Sequence, residues 1–224
     1  MKKKYTLIID TETSMNQHVI DFAAVLVDNK GNVKTQCAVL VSDFFRKEEL
    51  FYNRDIGVFG RKNLNKRMKA YENMLKTDVR LLRSAKSIQN WLDMLNEHYQ
   101  PSITAYNLRF DMDMCENSGI VLPKQKTFCL WQESCQLFAK RRGYVAFCLN
   151  NNLLTPALNF STSAETMFKY LSGNVDYIEP HTALEDILTC ELHIFNAMKR
   201  QKKAIKSIPY NWRNHRLRDA IVIV

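Results

Sequence analysis

Apolar and polar positions follow a strand-like period at the start of the chain and shift to a helical period further on. Residues 5–12 are an apolar run ending in polar residues, which predicts a buried strand. Residues 19–28 and 32–41 are β-rich runs separated by Asn29-Lys30-Gly31, a hairpin turn sequence, so the three strands predict a meander. Over 47–76 the composition becomes charged and helix-favouring, with Leu64, Met68, Tyr71, Met74 and Leu75 near helical spacing, which predicts a largely helical insertion. Residues 84–98 carry the apolar stripe Ile88, Trp91, Leu92 and Leu95 of an amphipathic helix. Pro101 ends that segment, and 102–106 predicts a short strand leading into Asn107-Leu108-Arg109-Phe110-Asp111. A helix is expected over 111–118, stopped by Gly119, and a short strand and a helix over 127–140. Thr162-Ser163-Ala164-Glu165 has the capping-box pattern and opens a helix that ends at Gly173. A second such pattern, Thr182-Ala183-Leu184-Glu185, opens a last helix through about residue 199, before a basic and then apolar tail. Strands, then a helical region, a strand and more helices predict an α/β domain with a mixed sheet and helices on its faces.

Composition narrows this picture. The 224 residues suit one domain, 1–224, with the helical insertion at 47–76 and a basic C-terminal extension at 199–224. With 46% hydrophobic and 25% charged residues, the chain can bury a core. No run approaches the roughly 20 apolar residues of a membrane span. Met1-Lys2-Lys3-Lys4 starts like a signal peptide, but the apolar stretch behind it stops at Asp10. A soluble, cytoplasmic protein with no membrane partner is expected. The six cysteines form no Cys-x-x-Cys pair, which argues against a zinc site and for buried thiols in a reducing compartment. The net charge of +9 attracts polyanions and becomes informative if the acids are gathered in one place.

Asp10 and Glu12 lie two apart at a strand end, and alternation sends both carboxylates to one face. Acids so placed repel each other unless a cation lies between them; taken alone, the pair is equally two solvated acids. Asp111 follows a strand where a helix begins, a position where α/β sites are built and where a helix dipole also favours an acid. If Thr182 and Glu185 form a capping box, His181 stays on the loop before the helix and Asp186 is fixed on its first turn. That suits a rigid ligand beside a base that moves into place; an ordinary surface histidine is the alternative.

Asp10-Thr11-Glu12, then Asn107-Leu108-Arg109-Phe110-Asp111, then His181 with Asp186 five residues on, resemble the three exonuclease motifs of the DEDD superfamily. The His-x-x-x-x-Asp spacing resembles its histidine (DEDDh) branch, which includes proofreading exonuclease subunits, ribonuclease T and oligoribonuclease. The resemblance covers the meander, the second-motif region and the final helices, but neither 47–76 nor the tail after 199. It implies a ribonuclease H-like fold with a central mixed five-stranded sheet flanked by helices. It also implies a two-metal mechanism with two divalent cations, Mg²⁺ or Mn²⁺. Asp10 would bridge both ions, Glu12 and Asp186 would hold the first, Asp111 the second, and His181 would act as general base. Thr11, Asn107 and Phe110 are expected to line the terminal nucleotide's pocket, with a helix-capping Asn107 and a core Phe110 as equally good readings. Where the family has a glycine and then an apolar wedge, this chain has Thr13-Ser14-Met15, which makes Met15 the wedge. Asp113 and Glu116 are expected to be solvated.

Three basic clusters have aromatic neighbours, the usual equipment for single strands. They are Arg61, Lys62, Lys66, Arg67 and Lys69 near Tyr52, Phe59 and Tyr71; Arg141 and Arg142 before Tyr144 and Phe147; and Lys199 to Arg218 around Tyr210 and Trp212. The implied substrate is single-stranded nucleic acid with a free 3′ end, DNA ahead of RNA. An exoribonuclease, or a catalytically silent nucleic-acid-binding or polymerase-associated protein on the same fold, are the competing readings. A homodimer or a polymerase partner stays open, with Ala220-Ile221-Val222-Ile223-Val224 as a docking strand or a terminal core strand.

Overall fold

Alternation along the first strand sorts its side chains between two cores. The structure, a computed structural model, describes residues 4–51, 58–123 and 126–201, with the backbone alone over 58–65. In β1 (Tyr5–Thr13), Leu7 and Ile9 enter one apolar cluster and Ile8 the other. β2 (Val19–Asp28) repeats the division, with Phe22, Ala24 and Leu26 facing one way and Ala23, Val25 and Val27 the other. β1, β2 and β3 (Val33–Val41) pair antiparallel as the expected meander. At the β2–β3 turn Gly31 has φ +81°, a left-handed conformation that a side chain would strain.

The helix expected in the insertion is α1 (Val58–Lys76), while 42–49 forms turns instead. Tyr71, Met68, Met74 and Leu75 seat α1 against Ile20, Leu40, Phe45 and Leu50, a third small core. β4 (Leu81–Arg83) follows, an edge strand parallel to β3 that the sequence pattern does not announce. Its three residues are all exposed, so it carries no alternation to detect. α2 (Ala85–Tyr99) buries Ile88, Leu92 and Leu95, and its cap Ser84 accepts the Ser87 N–H.

β5 (Ser102–Thr104) lies parallel to β1 and completes the order β4-β3-β2-β1-β5. The expected strand near Thr127 shrinks to a single parallel bridge with Ile103. The five-stranded count therefore holds with β4, and not this segment, as the fifth member. α3 (Leu108–Asn117) begins three residues earlier than expected. α4 (Leu130–Ser134), a π-helical turn (Cys135–Ala139), α5 (Arg142–Asn150) and α6 (Ala164–Ser172) follow. The expected last helix is broken into α7 (Ala183–Asp186), a π-helical turn (Ile187–Glu191) and α8 (Leu192–Arg200). A mixed five-stranded sheet with helices on both faces is a ribonuclease H-like α/β architecture.

Both capping boxes form differently from the sequence expectation. Ser163, not Thr162, caps α6 by accepting the Thr166 N–H at 3.2 Å. Glu165 instead accepts the Glu179 N–H at 2.9 Å, tying down the loop before α7. Thr182 occupies the cap position of α7 without a side-chain bond. Its work is done by Asp21 on β2, whose Oδ2 accepts the Ala183 N–H at 3.1 Å. Arg80, fully buried, donates to Asp21 Oδ1 at 3.1 Å and to Glu185 Oε2 at 2.5 Å. Glu185 thus serves Arg80 rather than the helix end.

Replacing Arg80 alone leaves Asp21 buried without its cation. We expect R80M to lose about 3–5 kcal/mol of stability. The triple change D21N/R80M/E185Q removes all three charges and should unfold at a higher urea concentration than R80M. Equal midpoints for the two variants would rule out the network as the cause.

Candidate functional site

The end of β1 distributes its polar side chains by the same alternation. Asp10 and Glu12 lie on the face of Ile8, towards α7 and the π turn after it, and both line one cavity. Thr11 lies on the opposite face, where its hydroxyl donates to Asp111 Oδ1 at 2.8 Å. Asp111 is buried in the first turn of α3. The chain turns from β5 into α3 through Asn107, whose φ of +75° is left-handed. Asparagine tolerates this conformation better than most residues, and here its side chain makes no capping bond. Asp186 is buried at the end of α7, with its own N–H bonded to Thr182 O at 3.0 Å.

His181 lies before α7 as expected, with a φ of +55°. Its ring nitrogen and carboxylate oxygens of Glu12 and Asp186 all lie within 4.8 Å of one another. The cavity, about 420 Å³, is lined by all five residues expected to do chemistry and by Thr11, Asn107 and Phe110. Met15 is not among its lining residues; it is half-buried with its N–H bonded to Glu49 O at 2.7 Å. Asp113 and Glu116 are exposed, as expected.

Two further acids, Glu179 and Glu191, line the same cavity. Glu179 stands two residues before His181, and its proximity in sequence was a usable signal. Glu191 is five residues after Asp186, a spacing that a 3.6-residue period places on different faces. The π turn Ile187–Glu191 changes the period and turns Glu191 inward. Trp131 also reaches the cavity and donates to Thr162 Oγ1 at 3.1 Å.

Concentrated burial makes these carboxylates hold their protons. Burial, then the charges of Glu179 and Asp21, push Asp10 up to about 7. Burial, then Asp10, Glu179 and Glu12, push Asp186 up to about 10. Glu179 rises to about 7 through burial and Glu165. Asp111 and Glu191 are raised by burial and next by Asp10. His181 goes the other way: burial and then the charge of Arg67 lower it, while Glu165 opposes. Arg67 belongs to α1, so the insertion helix brings a cation to the site's electrostatics.

This donor set fits a hard divalent cation. The cavity lining has no lysine or arginine among the described residues. Asp186 Oδ1 and Glu191 Oε2 are buried without a hydrogen-bond partner. A buried carboxyl oxygen without a partner is costly, and a cation that displaces the proton offsets that cost. Oxygen-rich ligands suit magnesium or manganese better than zinc. All six cysteines are free thiols.

The basic surroundings separate into parts. Arg141 and Arg142 are exposed, but Tyr144 and Phe147 turn inward onto Tyr170. Tyr71 is wholly buried, while Lys66 and Lys69 are exposed. Tyr52, the side chains of Phe59, Arg61 and Lys62, and all of 202–224, including Tyr210, Trp212 and the apolar terminal run, lie outside the described residues. No helix among the described residues is long and apolar enough to cross a membrane.

The fold and cavity thus define an α/β protein with an acidic, cation-suited site at the end of β1. No family model and no curated protein matches the chain. Among solved structures it is similar to "Exonuclease X in complex with 5′ overhanging duplex DNA" at 15% identity, over 90% of this chain and 96% of that one, with a TM-score of 0.43.

The raised carboxylates have a consequence for stability. Folded Asp10 and Glu179 hold protons up to about pH 7, which they would release at ordinary carboxylate pH when unfolded. The metal-free protein should therefore lose stability as pH rises through the window from about 4 to 7. Each kcal/mol lost lowers the melting midpoint by about 2–4 °C for a chain of this size. Mg²⁺ or Mn²⁺ should raise the midpoint more at pH 8 than at pH 5.5, since binding displaces protons. A midpoint that climbs over this window and ignores both cations would contradict the electrostatics described.

Proposed function

We propose that the chain is a metal-dependent 3′→5′ exonuclease of the DEDDh type. It would release nucleoside monophosphates from the 3′ end of single strands, with DNA ahead of RNA. One observation carries this reading: Asp10, Glu12, Asp111 and Asp186, far apart in sequence, meet His181 on one cavity. Their order and local setting are those of the three motifs they resemble. A protein that only bound nucleic acid would gain nothing from turning this many acids towards phosphate.

Asp10, Glu12, Asp111 and Asp186 would hold two cations, Mg²⁺ or Mn²⁺. Such ions supply Lewis-acid stabilisation of the scissile phosphate and of the departing 3′ oxygen. His181 accepts the proton of the attacking water. Its lowered pKa keeps the imidazole neutral near pH 7, the state a base requires. Its ring lies beside Glu12 and Asp186, with ligand atoms of the three within 4.8 Å of one another. Thr11 holds Asp111 in place through its 2.8 Å hydrogen bond. Phe110 and Trp131 offer ring surface to the terminal base, and Asn107 a polar edge beside them. At about 420 Å³ the cavity suits one small-molecule-sized unit, as expected for the terminal nucleotide.

Mononucleotide release from 3′-labelled DNA and RNA strands, with and without Mg²⁺, tests the reading. Label should be released only with the cation, faster from DNA, and not from strands whose 3′ end is blocked. H181N should lower turnover by about 10²–10⁴-fold while still binding strands in Ca²⁺. Equal degradation of 3′-blocked strands would end the polarity claim. Strand binding without any hydrolysis at saturating Mg²⁺ and Mn²⁺ would leave a silent binding protein.

A further inference from the structure

Glu191 has no part in the three motifs, yet the fold spends an irregular helix turn on bringing it to the cavity. It is 2% exposed. Its Oε1 accepts the Tyr106 N–H at 3.1 Å, which ties the π turn to the corner leading into α3 and Asp111. Its Oε2 is buried and without a hydrogen-bond partner, and the residue lines the cavity beside Asp10 and Asp111.

A tether to one backbone N–H does not require a charge. The oxygen of a glutamine would accept the same bond, and glutamine would not repel Asp10 and Asp111. A buried carboxylate with one oxygen unsatisfied, set among like charges, is unfavourable unless a cation reaches it. Glu12, His181 and Asp186 already form one compact ligand group. Glu191 is not part of that group; it lines the cavity with Asp10 and Asp111, its strongest charged neighbours. We infer that Glu191 is a further carboxylate ligand of the metal centre, supplying Oε2 to the cation held on the Asp10–Asp111 side. Oε1 meanwhile keeps the Asp111 corner in register with the helix that carries Asp186. This assignment rests on the metal-centre reading above.

Calorimetric titration of Mn²⁺ into the full chain separates the two ideas. Wild type should bind two ions, and E191Q should keep one affinity and weaken the other by about 10–100-fold. D186N should weaken the site that E191Q spares. Glutamine preserves the bond to Tyr106, so metal-free E191Q should melt at or above the wild-type temperature. It should gain fewer degrees than wild type on saturation with Mn²⁺. If E191Q fails to fold, E191D makes the same comparison, with the charge kept and its reach shortened. A variant that binds both ions like wild type overturns the role of Glu191 and leaves the metal centre standing. A wild-type protein that takes up no Mn²⁺ overturns both.

Discussion

Arg80 joins the sheet to the helix on which the site depends. Its guanidinium, without solvent contact, bonds Asp21 on β2 and forks onto Glu185 on α7. The second oxygen of Asp21 takes the first free N–H of α7, at Ala183. Helix starts leave N–H groups unsatisfied, and a buried start needs acceptors from elsewhere. Here a sheet residue meets that need, so the residue next to Glu185, Asp186, is set at a fixed height above Asp10 and Glu12. The network spans 21 to 185, and it binds the meander to the last helix without using the motif residues themselves.

Irregular backbone shapes parts of the cavity wall. His181 and Asn107 have left-handed φ values, and the helix after Asp186 opens into a π turn. Such conformations cost free energy and persist where the surrounding structure enforces them. Each one helps bring a particular side chain to the cavity: the imidazole beside Glu12 and Asp186, Asp111 onto the Thr11 hydroxyl, and Glu191 near Asp10. Burial first, and then the repulsion between the carboxylates they assemble, raises the pKa values of Asp10, Asp111 and Asp186. A cation is the counterpart this geometry invites.

Much of the frame was legible because it depends on local periodicity. An apolar run and two β-rich runs around the Asn29-Lys30-Gly31 turn marked β1, β2 and β3, and strand alternation put Asp10 and Glu12 on one face. The stripe Ile88, Leu92 and Leu95 marked α2. Local capping patterns were less informative, since Thr162-Ser163-Ala164-Glu165 and Thr182-Ala183-Leu184-Glu185 each found partners across the fold. Glu165 went to the Glu179 N–H and Glu185 to Arg80, since longer-range bonds were available to both. The edge strand β4 escaped notice because three exposed residues have no buried face.

The sequence by itself determined which four acids and which histidine to look for, and the strand on which the first two acids stand. Residue type and a period of two are enough for that. Only the tertiary structure decided that Glu179 and Glu191 join them, that Met15 stays out of the cavity lining, and that α1 brings the charge of Arg67 to His181. Those outcomes depend on helix phase and on contacts between segments 100 or 162 residues apart, the Thr11–Asp111 and Asp21–Ala183 bonds. A π turn changes the phase by one residue, and no periodicity along the chain records which distant acceptor a buried N–H will find.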